Sequence, residues 1–161
     1  MYLKLRRQNH RVFAILLSFL LMGCSEIMLI GAYDQTVDES IQKISTDVST
    51  LLVQLEKNIV DNRQSENKYD NFRNTYIDIE GQIATLRIRT GALPKYEKVK
   101  QQVELVGKNL DNLELLHKSG FTVPGKNPTE VIETVKTLFE TSFTAMLSLQ
   151  NGLKREKVQK N

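Results

Sequence analysis

The sequence contains few of the residues that form disulfides, tight turns and aromatic binding sites. Its 161 residues include one cysteine, three prolines and no tryptophan, and aromatic residues make up 7%. A single cysteine excludes an intrachain disulfide, and the scarcity of proline favours long helices. Because Leu, Lys, Glu, Gln and Val are abundant, the composition predicts an all-α protein with one globular domain and an additional segment.

Beyond its first residues, the chain also lacks an excess of positive charge. The formal net charge is +3, from 22 Lys and Arg against 19 Asp and Glu. Four of these cations, Lys4, Arg6, Arg7 and Arg11, precede the first apolar run, so the remainder has 18 cations against 19 acids. Nucleic-acid binding needs a sustained basic face on the folded domain. We therefore expect no nucleic acid as a partner.

Histidine is scarce as well, which limits the catalytic and metal sites that the chain could form. His117 is the only histidine after His10, and it follows Glu114 in an E-x-x-H pair. Di-iron helical bundles need a second such pair and two further glutamates, so we expect no metal and no cofactor. The sequence has no glycine-rich phosphate loop, and a serine nucleophile would have only His117 as an ordinary base. The sequence therefore predicts that the protein is not an enzyme.

The first 23 residues have the three parts of an export signal. A cationic start is followed by the apolar run "VFAILLSFLLM" (Val12–Met22) and then by the small residue Gly23. This run is much shorter than the roughly 20 residues that cross a bilayer as a helix. The pattern predicts that residues 1–23 are a signal peptide and are removed.

The four residues Leu21, Met22, Gly23 and Cys24 resemble the lipobox of bacterial lipoproteins, where lipoprotein signal peptidase cuts before a cysteine. The resemblance implies a diacylglycerol on the Cys24 thiol and a further acyl chain, such as palmitate, on the new amino group. Several acyl chains hold a protein to a membrane far more firmly than one. On this basis the chain resembles the small helical lipoproteins of bacterial envelopes.

The resemblance also implies a location. In enterobacterial lipoproteins, a serine after the acylated cysteine permits transfer to the outer membrane, and Ser25 occupies that position. We expect the protein in the inner leaflet of an outer membrane, facing the periplasm, if the source has two membranes. Two other interpretations remain open. Residues 12–32 could form one uncleaved signal anchor with Glu26 inside it, or Cys24 could be a buried structural cysteine of a cytosolic protein.

Past residues 24–35, the predicted lipidated tether, apolar residues at steps of three and four predict four helices within residues 36–161. The first is expected over about 37–61, with Thr36 and Glu39 as a capping box. The second is expected over about 66–89, with Ser65 as its cap. Each of these helices has a regular apolar stripe that would face a common core.

The third predicted helix begins near Pro94 and ends at Gly120, after which Phe121 could fold back on Leu116 in a Schellman end. The fourth begins at "NPTE" (Asn127–Glu130), where a cap is followed by proline and an acid. Its apolar stripe includes Met146, Leu149 and Leu153. Four such helices with short connections predict an antiparallel up-down-up-down bundle, roughly 40 Å long.

This arrangement places candidate sites at the two ends of the bundle. The membrane-near end would collect cations that could attract anionic lipids, among them Arg87, Arg89, Lys154 and Arg155. The distal end would hold the connections 61–67 and 121–128. In the second connection Phe121, Val123 and Lys126 could contact a partner.

From these observations we predict a lipid-anchored, non-enzymatic interaction module. It would face the periplasm and bind an envelope protein that the sequence does not identify. The alternative is a helical lipoprotein whose bundle core binds a small apolar ligand. An apolar cavity between the helices would favour the second function, and an exposed apolar patch would favour the first.

Overall fold

The computed structural model describes residues 31–159, and helices account for most of them. In chain order they are α1 (Gln35–Val60), a short 3-10 turn (Tyr69–Asn71), α2 (Arg73–Ala92), α3 (Glu97–Lys118) and α4 (Pro128–Gln159). Within residues 31–159 there is no β-strand. The β-type backbone pairing in this range is limited to an isolated antiparallel bridge between Val123 and Lys126. The prediction of an all-α protein is confirmed. No helix in this range is both long and apolar enough to cross a membrane.

Each helix packs against two others, and together they enclose one core. Helix α1 contacts α2 and α4, and α3 contacts the same two helices. The apolar stripes of α1 and α3 lie at the centre, as their spacing predicts. The largest side chains with almost no exposure come from all four helices and the connection before α4: Ile41, Ile44, Leu51, Leu55, Tyr76, Ile79, Ile83, Leu110, Leu113, Phe121, Ile132 and Phe139.

The second helix begins later than predicted. Residues 61–68 form turns, and α2 starts only at Arg73, after the 3-10 turn. The Asn71 side chain donates to the Ser65 and Glu66 carbonyls at 3.1 and 3.0 Å, so Ser65 is not a helix cap. The physical reason is that the polar run before Tyr69 offers no apolar face to bury, whereas Phe72 begins the buried stripe.

The predicted start of the first helix is also wrong in detail. Asp34, not Thr36, is the capping residue of α1, because its carboxylate accepts from the Val37 N–H at 2.9 Å. Glu39 accepts from the Gln35 side chain at 2.7 Å and is therefore not part of a capping box. The helix starts at Gln35, two residues earlier than the apolar stripe alone indicates.

The end of α3 and the start of α4 follow the sequence prediction. The Gly120 N–H donates to the His117 carbonyl at 2.9 Å, and the Phe121 N–H donates to the Leu116 carbonyl at 2.7 Å. These two bonds form a Schellman end, with Gly120 at φ 65°. At α4, the Asn127 side chain accepts from the Glu130 N–H at 2.8 Å, which is the predicted cap.

The register of α4 differs from its predicted stripe in the second half. Phe143 and Gln150 are buried, whereas Leu149 is only half-buried. Ser142 interrupts the apolar pattern, and its hydroxyl accepts from the Asn109 side chain at 3.4 Å. The core therefore contains a polar position, Gln150, where the sequence pattern favoured Leu149.

Candidate functional site

The residues just before α1 are fixed against the connection between α2 and α3. The Gly31 N–H donates to the Lys95 carbonyl at 2.9 Å, and the Tyr96 hydroxyl donates to the Ala32 carbonyl at 2.7 Å. A Cβ atom added to Gly31 would overlap the Tyr96 ring, so this position requires glycine. Residues 31–34, which we call the strap, therefore enter the folded unit at the end that holds the α2–α3 connection.

The strap ends in a bidentate ion pair. The two carboxylate oxygens of Asp34 accept from Arg89 Nε at 3.0 Å and from Arg89 Nη2 at 2.8 Å. The Arg89 hydrogen bonds are the main reason that the pKa of the Asp34 carboxyl lies below its ordinary value, and the Val37 N–H lowers it further. Since Asp34 also caps α1, one carboxylate connects the strap, the start of α1 and the end of α2.

Of the four cations predicted for the membrane-near end, Arg87 and Arg89 form ion pairs within the described residues. Arg87 pairs with Glu104, with Nε 3.0 Å from Oε2, and Arg89 is the partner of Asp34. Lys154 and Arg155 are exposed on the final turns of α4. The Lys154 ammonium also lies 5.8 Å from the centre of the Tyr33 ring, within cation–π range.

At the opposite end of α3, His117 is buried among aromatic rings. The His117 Nε2 atom lies 2.9 Å from the Asn67 carbonyl oxygen, and Nδ1 lies 3.1 Å from the Tyr76 hydroxyl. Because a carbonyl only accepts, Nε2 carries the proton and Nδ1 accepts from Tyr76. The ring stacks on Phe121 at 5.5 Å between centroids and meets Phe72 edge-on at 5.2 Å. His117 is therefore a structural residue that holds the turn 61–68 against α3.

The electrostatics of this cluster favour a neutral imidazole. Burial lowers the pKa of His117, opposed in part by its hydrogen bond to Asn67. Burial also raises the pKa of the Tyr76 hydroxyl far above its ordinary value, so that hydroxyl remains a donor. Nearby, Glu114 accepts from Tyr69 and pairs with Lys118 at 2.8 Å. The two residues of the E-x-x-H pair therefore do not act together, since Glu114 bonds to Tyr69 and Lys118 while His117 bonds to Tyr76 and Asn67.

The residues predicted to contact a partner lie together but differ in exposure. Phe121 is fully buried and Val123 packs partly against the core. Lys126 is exposed, on a turn in which its N–H donates to the Val123 carbonyl at 3.2 Å and Gly125 has a φ of 76°. The Schellman end thus fixes Phe121 inside the core, and the accessible part of this connection is the turn 122–126.

A shallow groove lies between the outer edges of α1 and α2. Two adjoining cavities of about 510 and 350 Å³ are both lined by Lys43, Asp78 and Gln82. Asp47 accepts from Lys43 at 2.7 Å and from Gln82 at 2.8 Å, and the Lys43 bond is the main reason that the pKa of Asp47 is lowered. Among residues 31–159, no cluster of His, Cys, Asp and Glu suited to hold a metal occurs here or elsewhere.

Leu21, Met22, Gly23 and Cys24, the residues of the predicted lipobox, lie outside the described residues. Sequence reasoning missed the strap, because residues 25–35 have neither helical periodicity nor a recognised motif. A small signal was present, since Gly31 and Asp34 flank an aromatic residue directly before an apolar stripe.

The comparisons with known proteins add no family to these observations, because no protein family, no curated protein and no solved structure matches the chain.

Proposed function

We propose that the protein is a lipid-anchored, non-enzymatic interaction module of the bacterial envelope that faces the periplasm. The strap is the observation that carries this proposal. Cys24 precedes Gly31 by seven residues, and a fully extended chain spans at most about 3.6 Å per residue. An acyl anchor on Cys24 would thus hold the strap end of the helices within about 25 Å of the bilayer.

We infer further that the helices form an antiparallel up-down-up-down bundle behind the signal peptide. This direction is supported by side-chain contacts that join the start of one helix to the end of its neighbour: Asp34 with Arg89, Tyr76 with His117, and Glu56 with Lys136. Helix α1, with 26 residues, is about 39 Å long at 1.5 Å per residue. The turns 61–68 and 122–126 would therefore lie that far from the anchored end.

We propose that an envelope protein is bound at this distal end. The turn 122–126 is held by rigid elements on both sides, the Schellman end of α3 and the Asn127 cap of α4. Loops on a rigid scaffold commonly carry recognition, and Lys126 offers an exposed cation there. At the other end, Lys154 and Arg155 would face anionic lipids, each contributing up to about 1 kcal/mol at low salt.

The anchor is tested by the intact mass of protein extracted from membranes. We expect loss of residues 1–23 and added acyl mass on Cys24, and Cys24→Ser should prevent both changes. Fractionation should then find the protein with outer-membrane markers if the source has two membranes. An exported protein that retains an unmodified N-terminus would refute the lipid anchor and support the signal anchor.

Partner binding is tested by a charge reversal at the distal turn with a matched control. Lys126→Glu should reduce recovery of a crosslinked envelope protein at least fivefold without changing the thermal midpoint. Lys108→Glu reverses an exposed lysine on the side of α3 and should leave recovery unchanged. Equal recovery with both variants would mean that the distal turn does not recognise the partner.

A further inference from the structure

The outward side of α2 carries an uncharged row at heptad spacing. Its six members are all exposed and follow steps of three and four residues: Asn74, Ile77, Gly81, Ala84, Ile88 and Gly91. We call this row the α2 seam. Ile77 and Ile88 are 54% and 77% exposed, although the core side of the same helix is already filled by its own apolar stripe. Helix α2 thus has an uncharged face with two exposed isoleucines opposite its core face, and only the core face is covered within the described residues.

Gly81 at the centre of the seam has no explanation inside the described chain. A glycine in the middle of a helix costs about 1 kcal/mol relative to alanine. A Cβ atom added at Gly81 would meet no atom within 4 Å, so no contact among residues 31–159 requires the missing side chain. A second helix that approaches the backbone closely would require it.

We propose that the α2 seam is a parallel homodimer interface in which α2 of one copy packs along α2 of a second copy. The spacing fits the a and d positions of a two-stranded coiled coil, with Asn74, Gly81 and Ile88 at a and with Ile77, Ala84 and Gly91 at d. Gly81 and Ala84 let the two backbones approach, and the isoleucines pack on either side of that crossing. An asparagine at an a position is a known determinant of register in parallel pairs.

The charges beside the seam are complementary in this arrangement. In a parallel pair, the residue before an a position faces the residue after the next d position of the second helix. Arg73 therefore faces Asp78 of the second copy, and the two-fold symmetry makes this contact twice. Within residues 31–159, Asp78 has no ion pair, while Arg73 pairs only with the exposed Asp70. The other flanking positions, Glu80 and Arg87, face uncharged residues by the same rule.

The parallel direction also agrees with the lipid anchor, and this step rests on the proposed function. Parallel copies have their straps at the same end, so both anchors reach one membrane. Antiparallel copies would place the anchors about 39 Å apart, at opposite ends of α1. A single helix pair buries less than a standard interface of about 1,600 Å², so we expect weak association in solution. Confinement to a membrane raises the effective concentration and favours the dimer.

The test uses disulfide formation in membranes that contain the full chain. When Cys24 is acylated, Ile77→Cys and Ile88→Cys each introduce the only free thiol. In a parallel seam, the new cysteine of each variant forms a disulfide with the same residue of the second copy. The disulfide yield should be at least tenfold higher than that of Ser49→Cys, a variant at an exposed position on α1. In an antiparallel pair neither variant links to itself, but a mixture of the two does. Either that result or a yield equal to Ser49→Cys overturns the proposal.

A charge exchange and the unsubstituted chain complete the experiment. Asp78→Arg should reduce the Ile77→Cys disulfide yield at least fivefold, and adding Arg73→Asp should restore it. Failure of the double substitution to restore the yield rejects the ion pair across the seam. The unsubstituted chain should form no disulfide. A Cys24–Cys24 disulfide, identified by peptide mapping, would refute the lipid anchor, whereas the seam is judged separately by disulfides at residues 77 and 88.

Discussion

His117 offers the most direct test of how the turn 61–68 is held against α3. In His117→Phe the aromatic contacts are kept, but both ring nitrogens are lost. The Tyr76 hydroxyl then remains buried without its acceptor, which costs about 1–3 kcal/mol, and the lost bond to Asn67 costs about 0.5–1.5 kcal/mol. We therefore expect the free energy of unfolding to fall by about 1.5–4.5 kcal/mol. For a chain of this size each kcal/mol lowers the thermal midpoint by about 2–4 °C.

Tyr76→Phe separates the hydrogen bond from the packing. Alone, it leaves His117 Nδ1 without its donor and should destabilise the protein by about 1–3 kcal/mol. Combined with His117→Phe, it removes the stranded hydroxyl, so the double variant should be more stable than the sum of the single effects predicts by at least about 1 kcal/mol. Urea unfolding of all four proteins measures this coupling. Additivity within about 0.5 kcal/mol would refute the bond between the two side chains.

His117→Phe should also alter the pH dependence of stability. Burial lowers the pKa of His117 in the folded state, so the unfolded chain binds a proton more readily. The stabilisation from neutral His117 is complete above its unfolded pKa, about 6.5. It is lost as the pH falls below that value towards the folded pKa, by up to about 1.4 kcal/mol per pH unit.

Midpoints measured between pH 8 and pH 5 test this dependence. The starting protein should lose stability below about pH 6.5, and His117→Phe should not. Asp34, Asp47 and Glu114 also have lowered pKa values, but their stabilisation is lost only as the pH falls below about 4. If His117→Phe keeps the slope of the starting protein between pH 6.5 and pH 5, another group is responsible and the assignment of a neutral His117 is wrong.

Three further substitutions test other parts of the fold. Gly31→Ala should force the strap away from Tyr96, and hydrogen exchange should show that the amide of residue 31 loses protection while the core keeps its own; unchanged protection would contradict the steric argument. Asn127→Ala removes the cap of α4 and should lower the free energy of unfolding by about 1 kcal/mol, measured by urea unfolding. An unchanged free energy of unfolding would contradict the stabilising role of the cap. Gln150 is buried, and its side-chain oxygen and nitrogen have no hydrogen-bond partner within residues 31–159. Gln150→Met should therefore raise stability by about 1–3 kcal/mol, and destabilisation in the same assay would show that a partner satisfies Gln150.

Much of the helical structure could be predicted from the sequence because the apolar spacing is regular. The stripes of α1 and α3 are buried as their periods indicate, and the ends at Gly120 and Asn127 follow from local hydrogen-bonding chemistry that short motifs specify. The start of α2 could not be predicted in this way. Residues 61–68 are polar enough to be either a helix or turns, and long-range contacts such as that of Asn67 with His117 decide between them.

The candidate sites were less predictable, because availability depends on packing that a pattern does not contain. The sequence offered Arg87, Arg89 and Phe121 as candidate site residues, yet the structure uses all three for internal contacts. The strap depends on a contact between residues 31 and 96 that are distant in the chain. Sequence spacing predicts which residues share a face of a helix, but it does not predict which exposed side chains form ion pairs or hydrogen bonds with other parts of the chain.

The proposed anchor, dimer seam and recognition turn occupy separate surfaces, and this separation has a consequence for binding. In the proposed bundle the strap would lie at one end of the helices, the turn 122–126 at the other, and the α2 seam along one side. A parallel dimer would therefore present two distal turns on the same side of one membrane. A partner with two sites would bind both at once, and its second contact would be intramolecular. Substitution of the α2 seam should then weaken binding of such a partner without any change at Lys126, whereas a one-site partner would bind the dimer and the monomer equally.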